Sequence, residues 1–166
     1  MPALESGIRA PEISLSFLDG SKFALKDALT RGPVVAAFFK VSCPVCQFAF
    51  PYLERMFKAY GSSGKFTLAG VSQDGASDTK EFNREFGITF PTLLDEKGKY
   101  PASHAYGLTN VPTIFLISPE GEIEASIVGW SKPDMEQLNQ KLARISGLPP
   151  AQIFAPGENI PEYKPG

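Results

Sequence analysis

Two hydrophobic rhythms alternate along this chain: short apolar runs, and longer stretches in which apolar residues return every three or four positions. Pro33-Val34-Val35-Ala36-Ala37-Phe38-Phe39 is an unbroken apolar run of strand length, the kind that fills the middle of a parallel sheet covered on both faces. Upstream, Ile13, Leu15 and Phe17 alternate with polar residues, Asp19-Gly20 supplies a turn, and Phe23 and Leu25 return, which predicts a hairpin over 11–25. Lys26 to Leu29 reads as one short helical turn. Downstream, residues 43–60 have helical length, and Phe48, Tyr52, Leu53, Met56 and Phe57 form an apolar stripe. Pro51 lies inside that helix and predicts a kink, because its ring removes one backbone hydrogen bond.

Gly61-Ser62-Ser63-Gly64 reads as a turn and Phe66 to Ser72 as a second buried strand, so a β-α-β unit with a right-handed crossover and parallel strands is expected. A helix over about 77–86 stops at Gly87, Phe90 to Asp95 is extended, and a small helix near 99–106 ends at Gly107. Thr113 to Ile117 is a strand, and Ser118-Pro119-Glu120-Gly121 turns it into a partner over 122–129. Ser131 and Asp134 fit a capping box with Pro133 in the first turn, opening a last helix that ends near Gly147. Residues 148–166 carry Pro149, Pro150, Pro156, Pro161 and Pro165 and read as an extended tail lying over the body through Ile153, Phe154 and Ile160. The element order predicts an α/β sandwich with mixed strand directions, one domain over 1–147 followed by the tail at 148–166.

Composition narrows the chemistry. A chain of 166 residues, 43% hydrophobic, buries a core of its own, and its charge of −2 is scattered. No basic cluster points to nucleic acid, and no apolar run approaches the roughly 20 residues of a membrane span. Met1 to Gly7 lack the positive and apolar regions of a signal peptide. As the chain stands that reads as cytoplasmic; an extracytoplasmic protein trimmed of its leader has the same sequence.

The only two cysteines stand together as Cys43-Pro44-Val45-Cys46 where the buried strand gives way to the helix. Residues three apart on a helix face the same way, with β-carbons roughly 5–6 Å apart, close enough to bridge with little movement. The first cysteine also meets the unpaired N–H groups and positive end of the helix, which favour a thiolate, the nucleophile of disulfide exchange. Structural zinc takes four Cys or His ligands. Here two cysteines stand with His104, about sixty residues away on an expected surface helix, so no metal site is read and no cofactor enters. Lys40, three before Cys43, is either a cation that lowers the thiol pKa or a solvent-facing strand end. Trp130 and Phe90 read as packing residues.

Several segments, in order and spacing, carry a resemblance. They are Ala10-Pro11-Glu12-Ile13-Ser14-Leu15, Leu18-Asp19-Gly20, the Cys43–Cys46 motif with Pro51 five residues beyond, Phe90-Pro91-Thr92-Leu93-Leu94-Asp95, and Tyr106-Gly107-Leu108-Thr109-Asn110-Val111-Pro112-Thr113. Over about residues 7–147 the chain resembles the thioredoxin-like redoxins, specifically the TlpA/ResA-type thiol-disulfide oxidoreductases near the AhpC/TSA peroxiredoxins. The resemblance implies a thioredoxin-like three-layer sandwich with an N-terminal β-hairpin and a helical insertion before a cis-proline loop. It implies Cys43 as attacking thiolate, Cys46 as resolving thiol, and Pro112 as a cis-proline facing them. Val111 would offer backbone hydrogen bonds to a bound peptide, and Pro44 would share that surface. Implied partners are protein or small-molecule disulfides and dithiols, with a redox partner protein.

Two positions depart from the family pattern and a third fits it. Ser42 stands where the family usually has Trp, and Ala37 replaces thioredoxin's buried acid. Asp74, near the place where the ResA-like group carries a carboxylate, becomes the candidate proton acceptor for Cys46. Two other functions stand against the leading one. A peroxiredoxin-type thiol peroxidase would place Thr or Ser three before its peroxidatic cysteine, where this chain has Lys40 before Cys43. A redoxin-fold binding module would use the tail or the Ser42 surface to hold a partner.

Overall fold

The computed structural model describes residues 3–166; residues 1 and 2, which open the unit expected over 1–147, lie outside the described residues. The expected hairpin is β1 (Ser14–Phe17) and β2 (Lys22–Ala24), followed by the short α1 (Leu25–Leu29). The apolar run forms β3 (Val34–Phe39), with all six residues buried, and leads into α2 (Pro44–Tyr60). Then come β4 (Thr67–Ser72), α3 (Ala76–Phe86), β5 (Thr92–Leu94) and α4 (Pro101–Ala105). The chain continues through β6 (Thr113–Ile117), β7 (Ile123–Val128), β8 (Trp130–Ser131), α5 (Lys132–Ser146) and the short β9 (Tyr163–Lys164).

Seven strands form one mixed sheet in the order β2-β1-β5-β4-β3-β6-β7. β3, β4 and β5 run parallel, while β1 and β6 pair antiparallel to their neighbours. Side chains of β3 alternate between two cores because successive residues of a strand point to opposite faces. Val35, Ala37 and Phe39 face the side covered by α2, α3 and α5; Val34, Ala36 and Phe38 face the side covered by α1 and α4. That gives the three layers implied by the resemblance. The helical insertion is α3-β5-α4, between β4 and the loop that precedes β6. Among the described residues no helix is long and apolar enough to cross a membrane.

α2 runs without interruption from Pro44 to Tyr60 with Pro51 inside it. Its buried face is broader than the predicted stripe: Cys46, Ala49 and Phe50 are fully buried, and Phe48 and Phe57 only partly. Phe50 packs against Phe39 of β3, Phe82 of α3 and Phe90 before β5, so aromatic contacts hold the helix to the sheet and to α3. Trp130 is fully buried against Phe48, Tyr52 and Phe154, a packing residue as its sequence context implied. α5 opens as expected: the Asp134 N–H donates to Ser131 Oγ, and Gly147 closes the helix in the left-handed conformation.

The tail is stapled to the body along its length. Ile153 is buried in the α2–α5 core with Phe154 and Ile160 packed beside it. The Ala151 N–H donates to Tyr60 Oη, and Asn139 Nδ2 donates to the Ala151 carbonyl. Arg55 grips Glu158 through two hydrogen bonds of 2.8 Å and also donates to the Ile153 carbonyl. Further on, Trp130 Nε1 donates to the Pro161 carbonyl, and β9 pairs antiparallel with β8.

Candidate active site

β3 ends at Phe39, and the turn through Lys40, Val41 and Ser42 delivers Cys43 to the N-cap of α2. The cap position leaves Cys43 in an extended conformation (φ −82°, ψ 115°) while Pro44, with no N–H to satisfy, takes the first helical position. The Cys46 N–H, one of the orphan donors of the first turn, points at Cys43 Sγ at 3.2 Å. A capping side chain is ordinarily a hydroxyl or carboxylate oxygen; here it is sulfur. The sulfur thus sits at the N-terminal end of α2, where it accepts a backbone hydrogen bond that the helix itself leaves unmade.

The second sulfur has the opposite setting. Cys46 is fully buried, on the face of α2 that meets the sheet, whereas Cys43 is half-buried. Burial, reinforced by the neighbouring Cys43 sulfur, pushes the Cys46 thiol well above the ordinary thiol range. One turn of helix therefore holds an accessible sulfur and a protonated, concealed one.

Facing them is the loop before β6. The Val111–Pro112 bond is cis and Pro112 is buried, as the resemblance implied. Cys43 Sγ lies 3.4 Å from the Val111 carbonyl oxygen and donates to it as a thiol. The loop is braced from behind: the Gly129 N–H donates to the Pro112 carbonyl, and Thr113 Oγ1 donates to the Asn110 carbonyl. Pro44 is exposed beside the sulfur, so Cys43, Pro44, Val111 and Pro112 share one end of the sheet.

Asp74 is brought to the same end, but onto backbone. Its Oδ2 accepts the Val41 N–H at 2.8 Å, two residues before Cys43. Gln47 clamps the other side of that residue, Nε2 donating to the Val41 carbonyl at 2.9 Å. The Asp74 N–H in turn donates to Ser72 Oγ, whose hydroxyl is shared with buried Thr79. Sequence reasoning found Asp74 and missed Gln47, Ser72 and Thr79. The spacing signal for Gln47 was present: it stands four residues after Cys43, and its N–H closes the first helical hydrogen bond on the Cys43 carbonyl.

Other candidates fall elsewhere. Lys40 is exposed, at the solvent-facing end of the strand. His104 is exposed on α4, its ring beside Tyr100. Ala37 is buried in β3 between Gly70 and Ile114, filling with a methyl group the place where thioredoxin has an acid.

With this geometry in view, the likeness to known proteins is informative. The sequence pattern of the AhpC/TSA family matches residues 7–126. The thiol-disulfide oxidoreductase ResA of Geobacillus thermodenitrificans is 31% identical over 136 residues, covering 81% of this chain and 76% of the relative. The crystal structure of the thioredoxin domain of a thiol-disulfide oxidoreductase from Bacteroides vulgatus superposes with a TM-score of 0.73 at 28% identity, covering 84% of this chain and 98% of that one. A thiol:disulfide interchange protein from a Bacteroides species gives 0.70 at 26% identity, covering 85% and 91%. The chain thus belongs to the AhpC/TSA redoxin family, among its ResA-type thiol-disulfide oxidoreductases.

Proposed function

We propose that the chain exchanges disulfides through Cys43 and Cys46, with Cys43 attacking and Cys46 resolving. One observation carries the assignment of roles: Cys43 Sγ accepts the Cys46 N–H at the helix N-cap, while Cys46 is fully buried. The Cys43 thiolate attacks one sulfur of a substrate disulfide, forming a mixed disulfide and expelling the first substrate thiolate, which takes up a proton. Cys46 then gives its proton to water entering the site, and its thiolate attacks Cys43 Sγ. That step breaks the mixed disulfide, releases the second substrate thiolate and leaves a Cys43–Cys46 disulfide. The substrate gains two electrons and the pair loses two; an external dithiol returns them. In reverse the same pair oxidises dithiols.

Val111 and Pro112 border the reacting sulfur, and in this reading an extended peptide docks its backbone on Val111 with Pro44 at its flank. Asp74 and Gln47 are positioning residues, holding the Val41 peptide so that Cys43 meets the helix end. The partners are protein or small-molecule disulfides and dithiols and a redox partner protein. A peroxidase of the peroxiredoxin type would call for a hydroxyl where exposed Lys40 stands.

Insulin-disulfide reduction tests the assignment. Cys43→Ser should abolish turnover, and Cys46→Ser should accumulate a mixed disulfide on Cys43 visible by intact-mass measurement. Full turnover by Cys43→Ser, or trapping on Cys46 in place of Cys43, would sink it.

A further inference from the structure

The tail does not stop at the α2–α5 core; it continues onto the cis-proline loop. β9 pairs with β8 so that Lys164 lies opposite Trp130 and Tyr163 opposite Ser131. Beyond that pair the chain runs past Gly129, at the end of β7, toward Val111. Gly129 has a left-handed φ of 74°, and a methyl group there would collide with the Lys164 carbonyl, so the absence of a side chain is what lets the tail approach. Asn110 Nδ2 donates to the Pro165 carbonyl at 2.6 Å. Gly166 lies so close that a methyl group on it would stand 2.6 Å from the Val111 carbonyl oxygen. That oxygen is the one Cys43 Sγ donates to.

Residues 163–166, extended at Tyr163 and Lys164 and turning at Gly166, therefore lie against the edge where, in the function proposed above, a peptide substrate adds its own strand. Strand addition draws its affinity from main-chain groups, so two extended segments compete for one edge whatever their side chains. The attachment is light. Upstream, the tail is held by the Arg55–Glu158 pair and by Trp130 on Pro161; past residue 162 the hold reduces to the short β8–β9 pairing, the Asn110 hydrogen bond and Lys164 over the Phe48 ring. Tyr163 is 61% exposed and contributes little burial.

We propose that residues 163–166 are a resident strand over the substrate-docking edge, displaced by extended peptides, and that they set the selectivity of Cys43 between small disulfides and peptide disulfides. A small disulfide reaches half-buried Cys43 without using the Val111 edge; a peptide must first lift the tail. The inference rests on the oxidoreductase reading of the site.

Two variants test it: deletion of residues 163–166, which leaves the Glu158 and Pro161 anchors in place, and Asn110→Ala, which removes one hydrogen bond to the tail. Each is assayed for kcat/KM on insulin and on hydroxyethyl disulfide. Releasing an occupied edge raises apparent affinity by the inverse of its free fraction, so insulin turnover should rise roughly 5–30-fold on deletion and less in Asn110→Ala. The small disulfide should stay within about twofold of the parent in both. An insulin-to-small-disulfide ratio that is unchanged or falls in the deletion overturns the inference. Alkylation of Cys43 reads the same edge without turnover: a maleimide carried on an extended peptide should react faster after deletion, while iodoacetamide should not. If the intact chain reduces neither disulfide, the oxidoreductase reading fails, and equal peptide-maleimide rates with and without residues 163–166 overturn the tail inference by themselves.

Discussion

Replacing Asp74 separates two ways a carboxylate can serve this site. Its Oδ2 accepts the Val41 N–H at 2.8 Å, a charge-assisted bond between half-buried groups across 33 residues of sequence. Asp74→Ala leaves that N–H without its partner. A hydrogen bond to a charged group contributes about 1.5–3 kcal/mol, and partial exposure lets water recover some of it, so a loss of about 1–2 kcal/mol is expected. For a chain of this size that lowers Tm by about 2–8 °C. The turn from Lys40 to Ser42 then loosens on one side, Gln47 still holding the Val41 carbonyl. Insulin reduction should fall roughly tenfold, within what a sub-ångström shift of a reacting atom produces. Asp74→Asn keeps an oxygen acceptor for the Val41 N–H but cannot take a proton. It should lose under about 1 kcal/mol and keep at least half the parent rate, with an unchanged pH profile. The assays are thermal unfolding and the pH dependence of single-turnover reduction. If Asp74→Asn retains its Tm but turns over as slowly as Asp74→Ala, with a displaced pH profile, the carboxylate moves a proton for Cys46 and the positioning argument is refuted.

Two further outcomes follow from the tail. The Arg55 guanidinium, with the Ala155 N–H beside it, holds the Glu158 carboxyl down at about 2, below its ordinary 4.5. A depressed carboxylate stabilises the docked tail above the ordinary value and loses that contribution as pH falls through the folded one. Limited proteolysis within residues 155–162 should accordingly accelerate between about pH 4.5 and 2 in the parent and be insensitive to pH in Glu158→Gln; equal pH dependence in both would contradict the pairing. Ile153→Ala removes a buried side chain from the α2–α5 core, 4% exposed in place, and should destabilise by about 2–3 kcal/mol, the low end for such truncations because a tail collapses more easily than a strand. Urea unfolding measures it, and a loss under about 0.5 kcal/mol would mean the tail does not share the core.

The parts of the molecule that show in the sequence are those governed by local period. Alternation over Ile13, Leu15 and Phe17 gives the hairpin, the continuous run at 34–39 gives the central strand, and Gly87 and Gly147 end their helices where the pattern stops. The cysteine pair is local too, and the strand-to-helix junction places it without any tertiary information. The cis-proline at 112 came only through resemblance, since no periodicity marks a peptide isomer. Contacts between remote residues left no such trace. Asp74 on Val41, Glu54 accepting the Thr89 and Phe90 N–H groups, and Asn110 on Pro165 join segments that only the folded sheet brings together. The tail shows the same divide: Ile153, Phe154 and Ile160 were readable as contacts with the body, but the approach to the cis-proline loop depends on Gly129, a glycine indistinguishable in sequence from any other strand-ending one.

The asymmetry of the two sulfurs follows from where the motif falls on the helix, and this explains why spacing alone carries less than spacing plus register. Two cysteines three apart inside a helix would face one way in similar surroundings. Here the first is the N-cap and the second lies in the first turn, so the backbone N–H of one is the natural partner for the sulfur of the other. The same turn directs Cys46 into the contact between α2 and the sheet, where Phe39 and Phe50 sit in the same core. Pro44 helps fix this register, because proline is favoured at the first helical position and disfavoured deeper within. A substitution that shifts the helix start by one residue would therefore erase the difference in surroundings between the sulfurs even with both cysteines present, and the Asp74 and Gln47 hydrogen bonds to Val41 hold the turn against that shift.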